Sequence, residues 1–233
     1  MLQKTEQFDA VTDAIEAIAN GEFVIVVDDT DRENEGDLII AAEKITTEKM
    51  AFLVRHSSGL VCVGMSAPRL QALDLPQMVT HNADPFRTAF TVSVDYKYGT
   101  TSGISAADRA LTLRKLADPA SVASDFHRPG HIFPLRARRG GVLERPGHTE
   151  AAHDLAALAG LQPVGVLCEI VNDDGSMARR PDLFKFARQH GLTIITIADM
   201  ISYREQQLTY APPRMHGVRQ RSKLLDAAMV YSG

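Results

Sequence analysis

Phe23-Val24-Ile25-Val26-Val27 is followed by Asp28-Asp29-Thr30-Asp31-Arg32-Glu33-Asn34-Glu35-Gly36-Asp37 and then by Leu38-Ile39-Ile40-Ala41-Ala42. Two short apolar runs thus enclose a connection that carries six carboxylates and one arginine. Short runs rich in branched residues have the pattern of buried strands, so the spacing predicts an acidic loop where two core strands emerge. Like charges repel, and a buried carboxylate is costly unless it is paired or bound to a metal. One reading is a solvated hairpin tip, the ordinary state of a charged loop. The other is a site, because hard oxygen ligands beside an arginine suit a divalent cation and an anionic, oxygen-rich substrate. Gly36 favours the site by implying an unusual backbone or a close approach, and the carboxylates are denser than solubility requires.

The 233 residues, 45% hydrophobic and 23% charged, suit a soluble globular protein of one large domain or two small ones. No run reaches the roughly 18 apolar residues of a membrane span. Met1 to Glu6 lacks a basic-then-apolar signal pattern, so the cytoplasm is the expected location and no membrane partner is expected. A net charge of −4 argues against nucleic acid, which wants a basic face. An anionic substrate must then be met by local arginines. Cys62 and Cys168 each lie in an apolar run, which predicts buried reduced thiols, too few for a cysteine-built zinc site.

Phe8, Val11, Ile15 and Ile18 recur at helical spacing before Asn20-Gly21. Thr46 or Thr47 caps a helix to Arg55, Gly59 to Met65 reads as a strand, and Pro68 opens a short helix to about Leu75. Pro76 to Arg87 is irregular and polar, either a lid or a long connection. Thr88 to Val94 alternates like a strand. Ser105 with Asp108 reads as a capping box opening a helix to about Ala117, after a small-residue loop (Gly99 to Ser105) that is a weak candidate for phosphate.

Arg128-Pro129-Gly130-His131 and Arg145-Pro146-Gly147-His148 are the same tetrapeptide, which implies two exposed, rigidly presented histidines. Between them lie a short strand, Ile132 to Leu135, and a Gly140-Gly141 turn. In the second copy Thr149 reads as a helix cap. Gly147, His148 and Thr149 would then bring free amides, a positive dipole end and a hydroxyl beside Arg145, a seat for phosphate. His148 there adds a metal ligand or proton carrier. Pro163 to Val171 reads as a strand with one charge, Glu169, which is either an edge residue facing water or an active-site carboxylate. Asn172 to Gly175 turns the chain, Pro181 to Gly191 frames a helix, Thr193 to Ile197 is the last strand, and a helix follows near Asp199 to Arg204. Beyond Gln206 the chain becomes basic, with Leu224 to Val230 as a short helix. The domain is therefore placed at residues 1–205 and a tail of unknown role at 206–233.

Taken together, the motifs Asp31 to Asp37, Ser102 to Arg109, Arg128 to His131, Gly147 to Ala151, Cys168-Glu169 and Asn172 to Gly175 resemble the 3,4-dihydroxy-2-butanone 4-phosphate synthase family of riboflavin biosynthesis, over about Phe8 to Tyr203. The resemblance implies an α/β (α+β) fold, a three-layer single domain with a mixed, twisted sheet flanked by helices. It implies conversion of D-ribulose 5-phosphate to L-3,4-dihydroxy-2-butanone 4-phosphate and formate by metal-assisted enolisation and skeletal rearrangement. It further implies magnesium or manganese, two divalent ions per site, and a homodimer with the active site near the subunit interface. By matching motif, Glu33 and His148 would hold metal. Arg32, Glu33, Asp37, Arg145, Pro146, Gly147, His148, Thr149 and Glu169 would bind substrate. His131 and Glu169 would be essential for catalysis, paired as Glu33 is paired with His148. Pro146 stands where the family varies, which implies a stiffer phosphate loop. Some relatives continue into a GTP cyclohydrolase II domain with a cysteine-built zinc site, for which this chain has neither the length nor the cysteines. A non-catalytic phosphate-binding module and a metal-dependent phosphosugar isomerase or aldolase are the rival readings.

Overall fold

The computed structural model describes residues 6–210. Seven strands form one sheet: β1 (Val24–Val27), β2 (Gly36–Ala41), β3 (Cys62–Met65), β4 (Val94–Tyr96), β5 (Phe126–Arg136), β6 (Val164–Glu169) and β7 (Thr193–Thr196), in the order β4-β5-β3-β6-β2-β1-β7. The sheet is mixed, with β1–β7 and β3–β5 parallel and the other neighbours antiparallel. Strands β1 and β2 form the acidic hairpin, in register from Val24↔Ile39 to Val27↔Gly36.

Both faces of the sheet are covered, and strand alternation sorts the side chains between them. Ile25, Val27, Leu38 and Ile40 point to one face and meet α2 (Thr47–His56), α3 (Ala67–Ala72), α4 (Ala106–Ala117) and α6 (Arg180–His190). Val24, Val26, Ile39 and Ala41 point to the other and meet α1 (Val11–Ala19), α5 (His148–Leu158) and α7 (Ile197–Tyr210). Three layers with a mixed sheet were the expected architecture.

Helix α5 sits unusually close to the sheet. Gly64 on β3 and Gly165 on β6 are cross-strand partners, and a Cβ at either would lie 2.5 Å from the Thr149 carbonyl or 2.2 Å from that of Ala152. Two facing glycines therefore form the seat that lets the helix backbone rest on the strands. The seat also determines where His148, the first residue of α5, can reach.

Several boundaries differ from the sequence reading. Thr88 to Val94 is not a regular strand. Its backbone bonds go alternately to two different neighbours, Thr91 N–H to the Pro134 carbonyl and Val92 N–H to that of Pro76, so no single ladder forms. The strand expected at Ile132 to Leu135 is the latter part of the longer β5, which contains the first Arg-Pro-Gly-His copy. Ser105 Oγ does accept from Asp108 N–H at 3.1 Å, but the Asp108 carboxylate turns to Thr101 and Gly103 rather than closing a reciprocal box. The Thr101 and Gly103 amides of this loop are thereby taken up by the Asp108 carboxylate, which leaves an unwelcoming place for a phosphate. Helix α7 continues through residue 206 to Tyr210, and the expected helix at Leu224 to Val230 lies outside the described residues.

Candidate active site

The acidic loop is organised by its own first residue. Asp28 is buried, and its Oδ1 accepts from Glu35 N–H at 2.8 Å while Oδ2 accepts from Glu33 N–H at 3.1 Å and from Arg32 Nη1 at 2.8 Å. The loop thus folds around a carboxylate instead of around an apolar side chain. Asp29 and Asp31 face water, as in a solvated tip; Arg32, Glu33 and Glu35 are half-buried and Asp37 is buried. Arg32 Nη1 also donates to Glu33 Oε2 at 2.7 Å, and its guanidinium lies over the Phe86 ring at 5.1 Å. Gly36 makes a close approach rather than an unusual turn, since a Cβ there would meet Leu183 Cδ1 of α6 at 2.5 Å.

His148 is buried, contrary to the expectation of an exposed ring, because α5 is pressed onto the sheet. Its Nε2 lies 3.1 Å from the Val26 carbonyl. A carbonyl only accepts, so Nε2 keeps its proton and Nδ1 is the nitrogen that can ligate once it gives up its own. Nδ1 lies 3.6 Å from Glu33 Oε2 and 3.9 Å from Asp37 Oδ1. Ligand atoms of Asp28, Glu33 and His148 all lie within 4.8 Å of one another. Asp37 Oδ1 is buried without a hydrogen-bond partner. An orphaned carboxylate oxygen beside an inward-facing imidazole nitrogen and two further carboxylates fits a hard divalent cation.

The charges are mutually tuned. Burial pushes the Asp37 carboxyl up to about 8, with Glu169, Glu33 and Glu35 adding to the rise and His148 opposing it. Burial alone would lower the His148 imidazole, but Asp37, Glu33 and Asp28 outweigh it and lift it to about 9. Burial also works against the Glu33 carboxylate, yet His148 and Arg32 hold it below its usual range.

Glu169 ends β6, a central strand between β3 and β2, and stands directly across from Asp37. The edge reading is therefore wrong; its Oε2 accepts from Ser58 Oγ at 2.6 Å. A cavity of about 140 Å³ joins Arg32, Glu33, Asp37, Arg145, His148, Thr149 and Glu169, with Thr88 and Phe90 on its wall. Arg145 is heavily committed: Nη1 donates to Glu150 at 2.6 Å, and Nε and Nη2 donate to the Phe86 carbonyl at 3.2 and 3.1 Å. Gly147 leaves room for Arg145 to fold back over it; a Cβ there would lie 2.3 Å from Nη1. Gly147, not Thr149, is the N-cap of α5, and Thr149 is buried in the first turn.

Pro146, Gly147 and His131 do not line this cavity. The expected pairing of His131 with Glu169 is absent among the described residues; His131 Nδ1 lies 2.6 Å from Asp95 Oδ2 instead. The two tetrapeptide copies are not equivalent, since one lies in a strand and the other opens a helix. Asp28 reads from the sequence only as one of the six loop carboxylates, and nothing local marks it as the residue the loop folds around. Ser58, Phe86 and Asp95 carry no local signal and are found only through contacts far along the chain. Cys62 and Cys168 are buried free thiols as expected, and burial pushes both up, Cys168 to about 11.

Fold and site together define an α/β protein with a carboxylate–histidine centre suited to a divalent cation and a small anionic ligand. The family model described as 3,4-dihydroxy-2-butanone 4-phosphate synthase matches residues 12–203. This chain belongs to the 3,4-dihydroxy-2-butanone 4-phosphate synthase family. It is 61% identical over 193 residues to the Agrobacterium fabrum protein of that name, covering 83% of this chain and 91% of the relative. It is also 61% identical over 206 residues to a probable bifunctional riboflavin biosynthesis protein (RIBA 1, chloroplastic) of Oryza sativa, but that match, 87% of this chain, spans only 38% of the rice protein. A crystal structure of 3,4-dihydroxy-2-butanone 4-phosphate synthase in complex with two magnesium ions superposes with a TM-score of 0.84 at 55% identity, covering 86% of this chain and 99% of that one. No helix among the described residues is long and apolar enough to cross a membrane.

Proposed function

We propose that the chain converts D-ribulose 5-phosphate to L-3,4-dihydroxy-2-butanone 4-phosphate and formate with magnesium or manganese, two ions per site, as a homodimer built from a domain over residues 1–205. The observation that carries this reading is the convergence of Glu33, Asp37, His148 and Glu169, from the β1–β2 loop, two strand ends and one helix start, on one cavity in a chain of this family.

Glu33 Oε2 and His148 Nδ1 would hold the metal, with Asp28 and Asp37 alongside. When bound, the cation supplies positive charge against the negative oxygen that develops as a ketose loses the proton beside its carbonyl. Arg32, Asp37, Glu169 and the Arg145-to-Thr149 turn bind and orient the sugar phosphate, the first-turn amides of α5 facing the anion. Glu169 and His131 move protons at Oε2 and Nε2. Because His131 lies outside the cavity of its own chain, the homodimer reading has each subunit lend that imidazole to the other's site.

Incubation with D-ribulose 5-phosphate and magnesium tests the proposal, with formate release as the readout. Stoichiometric formate that chelation abolishes is expected. Interconversion of pentose phosphates without formate would make the protein an isomerase, and binding without turnover a recognition module.

A further inference from the structure

The segment around His131 is built in an uncommon way. Strand β4 pairs with β5 at Val94↔Ile132, and the next pair is Asp95↔His127, so residues 128–131 have no backbone partner on β4. Side chains of β4 serve the bulge instead. Ser93 Oγ accepts from Gly130 N–H at 3.1 Å, and Asp95 Oδ1 accepts from His131 N–H at 2.9 Å. Asp95 Oδ2 then takes the ring nitrogen Nδ1 at 2.6 Å. One carboxylate thus holds both the backbone and the ring of a single histidine. Bulges next to active sites commonly re-aim a side chain in this way.

The contact is covered. The Asp95 side chain is 10% exposed and that of His131 is 41% exposed, so the carboxylate is hidden while part of the imidazole reaches solvent. Gly103 lies over the bond: a Cβ there would stand 2.0 Å from Asp95 Oδ2 and 2.8 Å from His131 Nδ1. The Gly103 loop is in turn held by Asp108, which accepts from Gly103 N–H at 3.0 Å and from Thr101 Oγ1 at 2.8 Å.

We propose that Asp95 is a positioning residue for His131: its carboxylate keeps the ring proton on Nδ1 and leaves the Nε2 lone pair facing outward to exchange a proton with substrate. This rests on the proposed function, in which His131 is a proton carrier. An ionised carboxylate only accepts, so Nδ1 must donate and Nε2 must be the basic nitrogen. Asp95→Asn should reverse this at nearly constant shape. Its single acceptor oxygen remains needed by His131 N–H, its amide then faces Nδ1 as a donor, and every group is satisfied only when the ring proton moves to Nε2.

The test is ¹⁵N-histidine NMR of the full chain, with His131→Gln assigning the resonance, beside steady-state formate release. Wild type should show the Nδ1–H tautomer. Asp95→Asn should show Nε2–H, with kcat lower by about 100-fold or more and KM within about threefold, the range of a misplaced general base. An Nε2–H tautomer in wild type, an unchanged tautomer in Asp95→Asn, or a wild-type kcat in that variant would each overturn the proposal. If Asp95→Asn does not fold, the wild-type tautomer decides. If wild type releases no formate, the functional reading fails and the two spectra still judge the pairing.

Discussion

At the scale of single residues, the chemistry depends on burying like charges together. Asp37 and His148 both bind their protons more tightly in the folded, metal-free protein than in the unfolded chain, about 8 and about 9 against ordinary values of 3.8 and 6.5. The stability each contributes is therefore complete below its unfolded value and is lost as pH rises through its folded value. The metal-free protein should lose melting temperature between pH 6.5 and pH 9, and added magnesium should restore more of it at the higher pH; scanning calorimetry with and without the ion checks both. For the same reason divalent affinity should rise by at least about tenfold per pH unit over the lower part of this range, because binding must release a proton from His148 or Asp37. A manganese titration followed by electron paramagnetic resonance reads this directly, and a flat affinity would remove His148 from the ligand set. Glu33→Gln keeps the size of the side chain but weakens the ligand. It should lower formate release by about 100-fold or more while the melting temperature moves little.

At the scale of elements, α5 is the part whose seating matters most. Gly165→Ala places a methyl 2.2 Å from the Ala152 carbonyl, a backbone atom that cannot step aside without moving the helix. A destabilisation of about 1–3 kcal/mol is expected from such overpacking, read as a lower denaturant midpoint at unchanged slope. Because His148 opens the same helix, metal affinity should fall with it. Gly191 at the end of α6, in the left-handed region with φ 65, has open space around it and should respond through backbone strain alone. The helix caps and stops were legible in the sequence for a local reason: Ser105, Thr46 and Gly191 act on backbone groups three or four positions away. Thr88 to Val94 was misread because alternation reports which side chains face inward and says nothing about a continuous ladder.

At the scale of the molecule, the single chain brings most of the proposed site residues to one cavity but leaves His131 outside it. If His131 acts across a dimer interface, mixing two inactive variants should restore function. Random exchange of His131→Gln with Glu33→Gln subunits makes half the dimers mixed, each with one intact site, so about a quarter of wild-type activity should return. Full silence of the mixture after subunit exchange would place His131 and Glu33 in the same subunit's site.

The sequence by itself determined the core strands, the acidic loop between two of them and the family, because strand burial, turn chemistry and contiguous motifs are local patterns. Only the tertiary structure decided that Glu169 faces Asp37 from a central strand, that His148 is buried with Nδ1 turned to carboxylates, and that Asp95 rather than Glu169 holds His131. Those pairings join residues 36 to 132 positions apart, and such contacts are set by sheet order, register and a glycine seat, none of which leaves a mark in neighbouring residues.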